Sequence, residues 1–258
     1  MDDILTEIDP TGVAVVTLNR PAKRNAVSLA MWQALGPLFE DLSARADVKA
    51  VVLTGAGGNF SAGADIAEFA RVRVTPSDQQ IYKAAGDRTA TSIRDCAKPT
   101  FAAVHGFGVG GGCGLALACD FRVGDATTRM GIPAAQRGIV YTEIDTSLLL
   151  RQVGLANAKL VLYSARIFDL AECRRMGLVD LVGQAALPEA MAWARQIAAN
   201  APLSVRGSKL MLEALSSGEI ANRREAIEAA SEAAANSEDY LEASRAFVEK
   251  RPAIFKGR

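Results

Sequence analysis

The stretch from Phe101 to Asp120, FAAVHGFGVGGGCGLALACD, constrains the fold of this chain more than any other. Phe101 to Val104 is an apolar run of strand length. His105 to Gly112 is a turn rich in glycine. Cys113 to Ala118 then continues as an apolar segment that reads as a buried helix. So many glycines cost backbone entropy, and they let the chain take unusual dihedrals and another group come very close. A strand feeding a glycine turn that opens a helix leaves free N–H groups aimed at one spot, with the positive end of the helix behind them. Such a place holds negative charge on oxygen. Gly106, Gly108 and Gly111 also satisfy G-x-G-x-x-G, and Asp125 lies near where a ribose-binding acid would be sought, so a dinucleotide site is one reading. Glycine-dense turns match that short motif often.

The chain has 258 residues, half of them hydrophobic and 22% charged, enough for one large domain or a domain with an appendage. Its formal net charge is zero, which gives no reason to expect nucleic acid or a membrane surface as partner. The acidic N-terminus, MDDILTEIDP, lacks the basic-then-apolar pattern of a secretion signal, and the expected compartment is the cytoplasm. Cys96, Cys113, Cys119 and Cys173 lie in or near apolar stretches without metal spacing and read as reduced thiols. A single histidine argues against zinc, and no metal is expected.

Ile4–Ile8 and Val13–Leu18 read as a β-hairpin around Asp9-Pro10-Thr11-Gly12. A basic loop follows, then a helix capped by Ser28 that runs to about Ala44 with Pro37 inside it. Ala50–Thr54 is a buried strand that enters a second glycine turn, GAGGNFSAGADI, from Gly55 to Ile66. The plan of strand, glycine turn and helix start therefore occurs twice. Arg71–Asp78 reads as a mobile surface loop, followed by a helix from Gln79 to Arg94 with Ile81, Ala84, Ala85 and Ile93 inward. Further on, Phe121–Gly124 and Leu178–Val182 read as strands. Thr142 to Asp145 fits a capping box, Leu155–Ser164 is helical, and Asp169 and Gly177 bound a short helix. Pro188 opens another helix. From Pro202 the composition turns to alanine, glutamate and arginine. Three helices are expected there, with apolar stripes (Leu210, Met211, Leu215; Leu241, Phe247, Val248) that need a partner surface.

With both glycine turns laid out, the chain resembles the crotonase (enoyl-CoA hydratase/isomerase) superfamily over nearly its whole length. The resemblance rests on LNRPAKRNA at Leu18–Ala26, GNFSAGADI at Gly58–Ile66, KPTFAAVHGFGVGGGCGLALACD at Lys98–Asp120 and EKRPAIFKGR at Glu249–Arg258. It implies an α/β superhelix of β-β-α repeats, with a core over residues 1–200 and a helical C-terminal region over 201–258 that builds homotrimers or homohexamers. It also implies a lyase or isomerase of acyl-CoA, as in fatty acid metabolism, that stabilises a thioester enolate. Coenzyme A would be part of the substrate, with no separate cofactor. By motif position the backbone N–H groups of Ala64 and Gly111 form the oxyanion hole. Arg20, Lys23 and Arg24 fall where the CoA phosphates are held. Ala62, Asp65 and Ile66 would line the adenine and pantetheine side, and Phe255 and Lys256 match a C-terminal pair near adenine. The resemblance displaces the dinucleotide reading.

The pattern departs from the family at two places. The glutamate that normally follows GGGC is Gly114 here, and the one that normally follows Gly-x-Pro is Ala134. Glu143 is the first candidate to supply the missing acid–base group and Asp145 the second, although both suit the first turn of a helix. Hydration or isomerisation at a non-standard site is the leading expectation. Tyr141, in Gly138-Ile139-Val140-Tyr141, resembles a tyrosine of decarboxylases in the superfamily, so decarboxylation of a methylmalonyl-type thioester is an alternative. A non-catalytic acyl-CoA binding protein is another. His105 reads as a turn-supporting residue.

Overall fold

The computed structural model of the chain describes residues 2–258. It begins with β1 (Ile4–Ile8) and β2 (Val13–Leu18), paired antiparallel with Ile4 opposite Leu18. The Asp9 carboxylate holds their turn by accepting from the N–H groups of Thr11 (2.8 Å) and Val13 (3.1 Å). Then come α1 (Leu29–Ala44), β3 (Ala50–Gly55), α2 (Phe69–Val72), α3 (Pro76–Arg94), β4 (Thr100–Val104), β5 (Phe107–Val109) and α4 (Gly111–Ala118). The chain continues through β6 (Phe121–Gly124), β7 (Arg129–Gly131), α5 (Glu143–Ser164), β8 (Ile167–Asp169), α6 (Leu170–Met176), β9 (Leu181–Val182) and α7 (Ala186–Ala198). It ends with α8 (Pro202–Ser217), α9 (Arg224–Ala235) and α10 (Glu238–Glu249).

Two sheets carry the body. The larger has the order β1-β2-β3-β4-β6-β9 and is parallel from β2 onward; the smaller is β5-β7-β8. Side chains alternate across the large sheet, as the period of a strand requires. Val16, Leu53 and Val104 face one core with Leu35 and Phe39 of α1 and Ile93 of α3. Val13, Val52, Phe101 and Val123 face the other, closed by Ala186, Ala190, Ala194 and Ala198 of α7. That alanine stripe lets α7 lie close against strands buried on both faces.

Several expectations are corrected here. Arg71–Asp78 is not one loop. Arg71 and Val72 end α2, and Thr75 caps α3 in a reciprocal box with Asp78, so α3 starts at Pro76. The buried face of α3 is Tyr82, Ala85, Thr89, Ala90 and Ile93, while Ile81 and Ala84 are exposed. Only Leu181–Val182 of the expected last strand pairs. α5 is broken at Gly154, whose φ of 73° is not helical, in keeping with the separate helix expected over Leu155–Ser164. At Thr142 one half of the capping box forms: its hydroxyl accepts from the Asp145 N–H, but the Asp145 carboxylate bonds that same hydroxyl instead of reaching back to the backbone.

The first-turn motifs stack. Val27 N–H donates to Gly63 O (2.8 Å) and Asp65 N–H to Val27 O (2.9 Å), which ties the RPAKRNA loop to the second turn. Ser61 N–H donates to Phe107 O (2.7 Å) and Val109 N–H to Ser61 O (2.9 Å), tying the second turn to the third. Successive coils of the chain are thereby zipped backbone to backbone at the point where the glycines sit.

Candidate active site

The site is built where these coils meet. Gly63 has φ +89° and Gly110 φ +57°, in the region where a side chain would be strained. A Cβ on Gly63 would stand 2.5 Å from Val109 O and 2.9 Å from Gly111 N; one on Gly111 would stand 3.0 Å from the Trp32 ring and 3.4 Å from Ala64 N. The two turns therefore touch with no room for side chains, and this brings the N–H groups of Ala64 and Gly111 beside each other. Among the described residues, neither N–H donates to a protein acceptor. Gly111 also opens α4, so the positive end of that helix backs the pair. Both face a cleft of about 700 Å³, a size that suits a small-molecule ligand.

Ala62, Ile66, Tyr141, Glu143 and Asp145 line the same cleft, with Trp32, Tyr82, Leu115 and Ala134 as apolar or aromatic wall. Sequence reasoning did not single out Trp32 and Tyr82. Their signal was an aromatic at helical spacing, which reads as core. Ala134 contributes only a methyl group to the wall. At the other vacated position, a Cβ on Gly114 would lie 3.2 Å from Asp145 Oδ1. The carboxylate of Asp145, reaching in from the start of α5, thus fills the space over α4 that a side chain at 114 would enter. Burial pushes its pKa up to about 6, against the lowering effect of the Thr142 hydroxyl. Glu143 lies on the exposed side of the same turn. Burial raises the Tyr141 phenol well above its usual range, so it remains a proton donor.

The basic loop is organised differently from a row of free cations. Arg20 donates to Asp65 Oδ2 (2.9 Å) and Ala26 O (2.7 Å), and Lys23 reaches the same carboxylate oxygen at 3.1 Å. Burial acts to raise the Asp65 carboxyl, but the bonds from Lys23 and Arg20 outweigh it and hold the pKa below its usual value. Asp65 therefore anchors the loop from within. Arg24 lies over the Phe107 ring at 5.7 Å. Asn25, fully buried, accepts from Arg20 N–H and donates to the carbonyls of Ala56 and Asn59, a positioning role that went unmarked in the sequence.

Arg20, Lys23, Arg24 and Asp65 do not line the cleft itself, and neither do Phe255 and Lys256. The C-terminal pair sits by α10, where Asp239 accepts from the N–H groups of Lys256 (2.7 Å) and Gly257 (2.8 Å). His105 bonds Gly57 O at 3.0 Å, as a turn support would. Asp125 is spent on Thr127 and on the first N–H of α7, and Gly106–Gly111 contains a strand; the dinucleotide motif is not a phosphate turn.

The enoyl-CoA hydratase/isomerase family model matches residues 9–258. The chain belongs to the enoyl-CoA hydratase/isomerase family. The short-chain-enoyl-CoA hydratase of Clostridium acetobutylicum is 34% identical over 245 residues, covering 93% of this chain and 92% of that protein. Among solved structures, an enoyl-CoA hydratase/isomerase family protein from Hyphomonas neptunium is 36% identical with a TM-score of 0.93, over 99% of this chain and 98% of that one. Enoyl-CoA hydratase from Bacillus anthracis is 30% identical with a TM-score of 0.90, over the whole of both chains. The crotonase-type fold with its C-terminal helices is therefore established for this chain.

Proposed function

We propose that the protein is an acyl-CoA enzyme that forms a thioester enolate and moves a proton through Asp145. The observation that carries this reading is the Asp145 carboxyl standing over Gly114 in the cleft that holds the two free N–H groups. The carbonyl oxygen of the thioester sits between Ala64 N–H and Gly111 N–H. These donors gain most when charge develops on that oxygen, so they stabilise the enolate more than the ground state. A donor of this kind is typically worth about 100- to 1000-fold in rate.

Asp145 does the work expected of the absent glutamates, and it takes precedence over Glu143 because it is the inward carboxyl and its pKa lies near neutrality. A single carboxyl suits double-bond migration. The carboxylate removes a proton from C2 of a 3-enoyl thioester, the dienolate rests in the oxyanion hole, and the acid returns the proton to C4. Hydration asks for a second group to activate water, and the position next to Pro133 is Ala134. Arg24 and Lys23 remain the groups closest to the CoA phosphates by family position, with Arg20 and Asp65 holding their loop in place.

A second reading draws on Tyr141, whose protonated phenol faces the glycine wall near Gly110. Loss of carbon dioxide from a malonyl-type thioester yields the same enolate without a base, and the phenol would then protonate it.

The test is turnover of 3-enoyl-, 2-enoyl- and methylmalonyl-CoA, together with exchange of the α-hydrogen of a saturated acyl-CoA in deuterated water. The expected result is isomerisation and exchange that Asp145→Asn lowers by about 100- to 10,000-fold, with Glu143→Gln only mildly affected. Turnover of methylmalonyl-CoA alone, lost in Tyr141→Phe, replaces this reading with decarboxylation. Tight acyl-CoA binding without exchange or turnover makes the protein a binder.

A further inference from the structure

The cleft also holds a cation that the chemistry above does not use. Trp32 Nε1–H donates to the Tyr82 hydroxyl at 2.9 Å, and the Tyr82 ring meets Phe69 edge to face at 5.4 Å. The Arg73 guanidinium lies over both rings, 4.6 Å from the Phe69 centroid and 5.2 Å from that of Tyr82. Arg73, Phe69 and Tyr82 all line the cleft. The two rings hold the guanidinium by cation–π contact, and among the described residues none of its N–H groups donates to a protein acceptor, which leaves them to meet a ligand.

No carboxylate among the described residues forms an ion pair with Arg73, although acids are near. Glu68 accepts from the Leu29 N–H and pairs with Arg71 at 3.7 Å. Asp87 pairs with Lys83. Asp145 is bonded to Thr142, and Glu143 and Arg137 are exposed at the cleft edge. Gln79 and Gln80, near the start of α3, also line the cleft. A purely hydrocarbon acyl chain would set methylenes against this guanidinium and take water from it without giving a bond in return. A planar carboxylate matches its fork.

We infer that the acyl group of the substrate ends in a carboxylate, bound by the edge of Arg73. The substrate is then the mono-CoA thioester of an unsaturated dicarboxylic acid. This rests on the acyl-CoA reading proposed above.

The test is calorimetric binding of two saturated thioesters of equal chain length, adipyl-CoA and hexanoyl-CoA, to wild type and Arg73→Met at fixed salt. The expected result is that wild type prefers adipyl-CoA by about tenfold or more, as a charge-assisted pair would give. Arg73→Met should then bind adipyl-CoA no better than hexanoyl-CoA, the loss falling on adipyl-CoA alone. Equal affinity of wild type for both thioesters overturns the inference, and that arm does not depend on any variant folding. Equal weakening of both thioesters in Arg73→Met also overturns it, because Arg73 then serves the CoA portion they share. Failure of both to bind removes the acyl-CoA reading itself. Because neither thioester carries a double bond, the result is independent of which reaction the enzyme performs.

Discussion

At the scale of single residues the site turns on one carboxyl. Asp145 is ordinary in sequence, an acid in the first turn of a helix, and becomes unusual through what surrounds it. Burial, helped by the neighbouring Asp87, raises it from 3.8 to about 6 against the opposing effects of the Thr142 hydroxyl and Lys83. A base of this kind works when ionised, so kcat/KM for 3-enoyl-CoA should rise as pH passes through about 6 and level off above it. The same shift has a stability consequence with a definite sign. The folded state holds the Asp145 proton more tightly than the unfolded chain does. Between about pH 4 and pH 6 the native state therefore binds more protons than the unfolded state, and stability falls as pH rises through that window. Ionised Asp145 leaves the fold up to about 3 kcal/mol less stable at pH 7 than it would be with a neutral group there. Asp145→Asn should be nearly neutral to stability at pH 4 and stabilising at pH 7. Urea denaturation of both proteins at the two pH values checks this, since other titrating groups cancel in the comparison. An equal difference at both pH values would mean that the carboxyl is not desolvated.

At the scale of elements the site depends on the close stacking of three turns. Gly63 is a tight point, with its positive φ and with Val109 O and Gly111 N directly over it. Gly63→Ala should cost on the order of 1–3 kcal/mol through strain alone and should also push the Gly111 N–H away from that of Ala64. Thermal denaturation should therefore show a lower Tm, and turnover should fall even at temperatures where the variant is fully folded. Normal turnover in the folded variant would mean that the two donors do not act together. Such turns were legible in the sequence because glycine density, flanking strands and motif order all mark them. The strands were legible for the same reason: β2, β3 and β4 are continuous apolar runs, as strands buried on both faces must be. The inner face of α3 was less legible. Its buried stripe includes Thr89 and Ser92, which bond to Trp32 O and Glu40, so polar residues occupy positions that a hydrophobic pattern assigns to the outside. The choice between Glu143 and Asp145 was open in the sequence for a related reason. Residues two apart on a helix point to nearly opposite sides. Which of the two is turned inward over α4 depends on how α5 packs there, and spacing along the chain does not specify that.

At the scale of the whole molecule the C-terminal helices present a surface that one chain leaves uncovered. Polar ties hold α8 to the body, where Lys209 donates to Asp120 at 2.8 Å and Arg151 pairs with Glu213 at 2.7 Å. The expected apolar stripes are only partly satisfied. Leu210 and Met211 are half-buried, but Leu215 is 57% exposed, Leu241 62%, Val248 80% and Phe247 85%. Tyr240 and Ile254 extend the same exposed set. Large apolar groups left exposed on these helices mark a protein interface. We propose that this face joins copies of the chain into the trimer or hexamer that the family resemblance implies. Light scattering of the wild type should then give a multiple of the chain mass of 27.2 kDa, and Leu241→Lys with Phe247→Glu should give the single chain. A monomeric wild type, or an unchanged mass in the double variant, would remove this face from any assembly. The assembly bears on the site through the C-terminus. Asp239 clamps the backbone at Lys256 and Gly257 to the start of α10, so Phe255 and Lys256 travel with the helix that carries the interface. Within one chain neither lines the cleft. If the pair reaches the CoA portion bound by a neighbour, the dissociated variant should lose affinity for every acyl-CoA alike. Its preference between adipyl and hexanoyl thioesters should stay intact, because Arg73 and its aromatic support belong to a single chain.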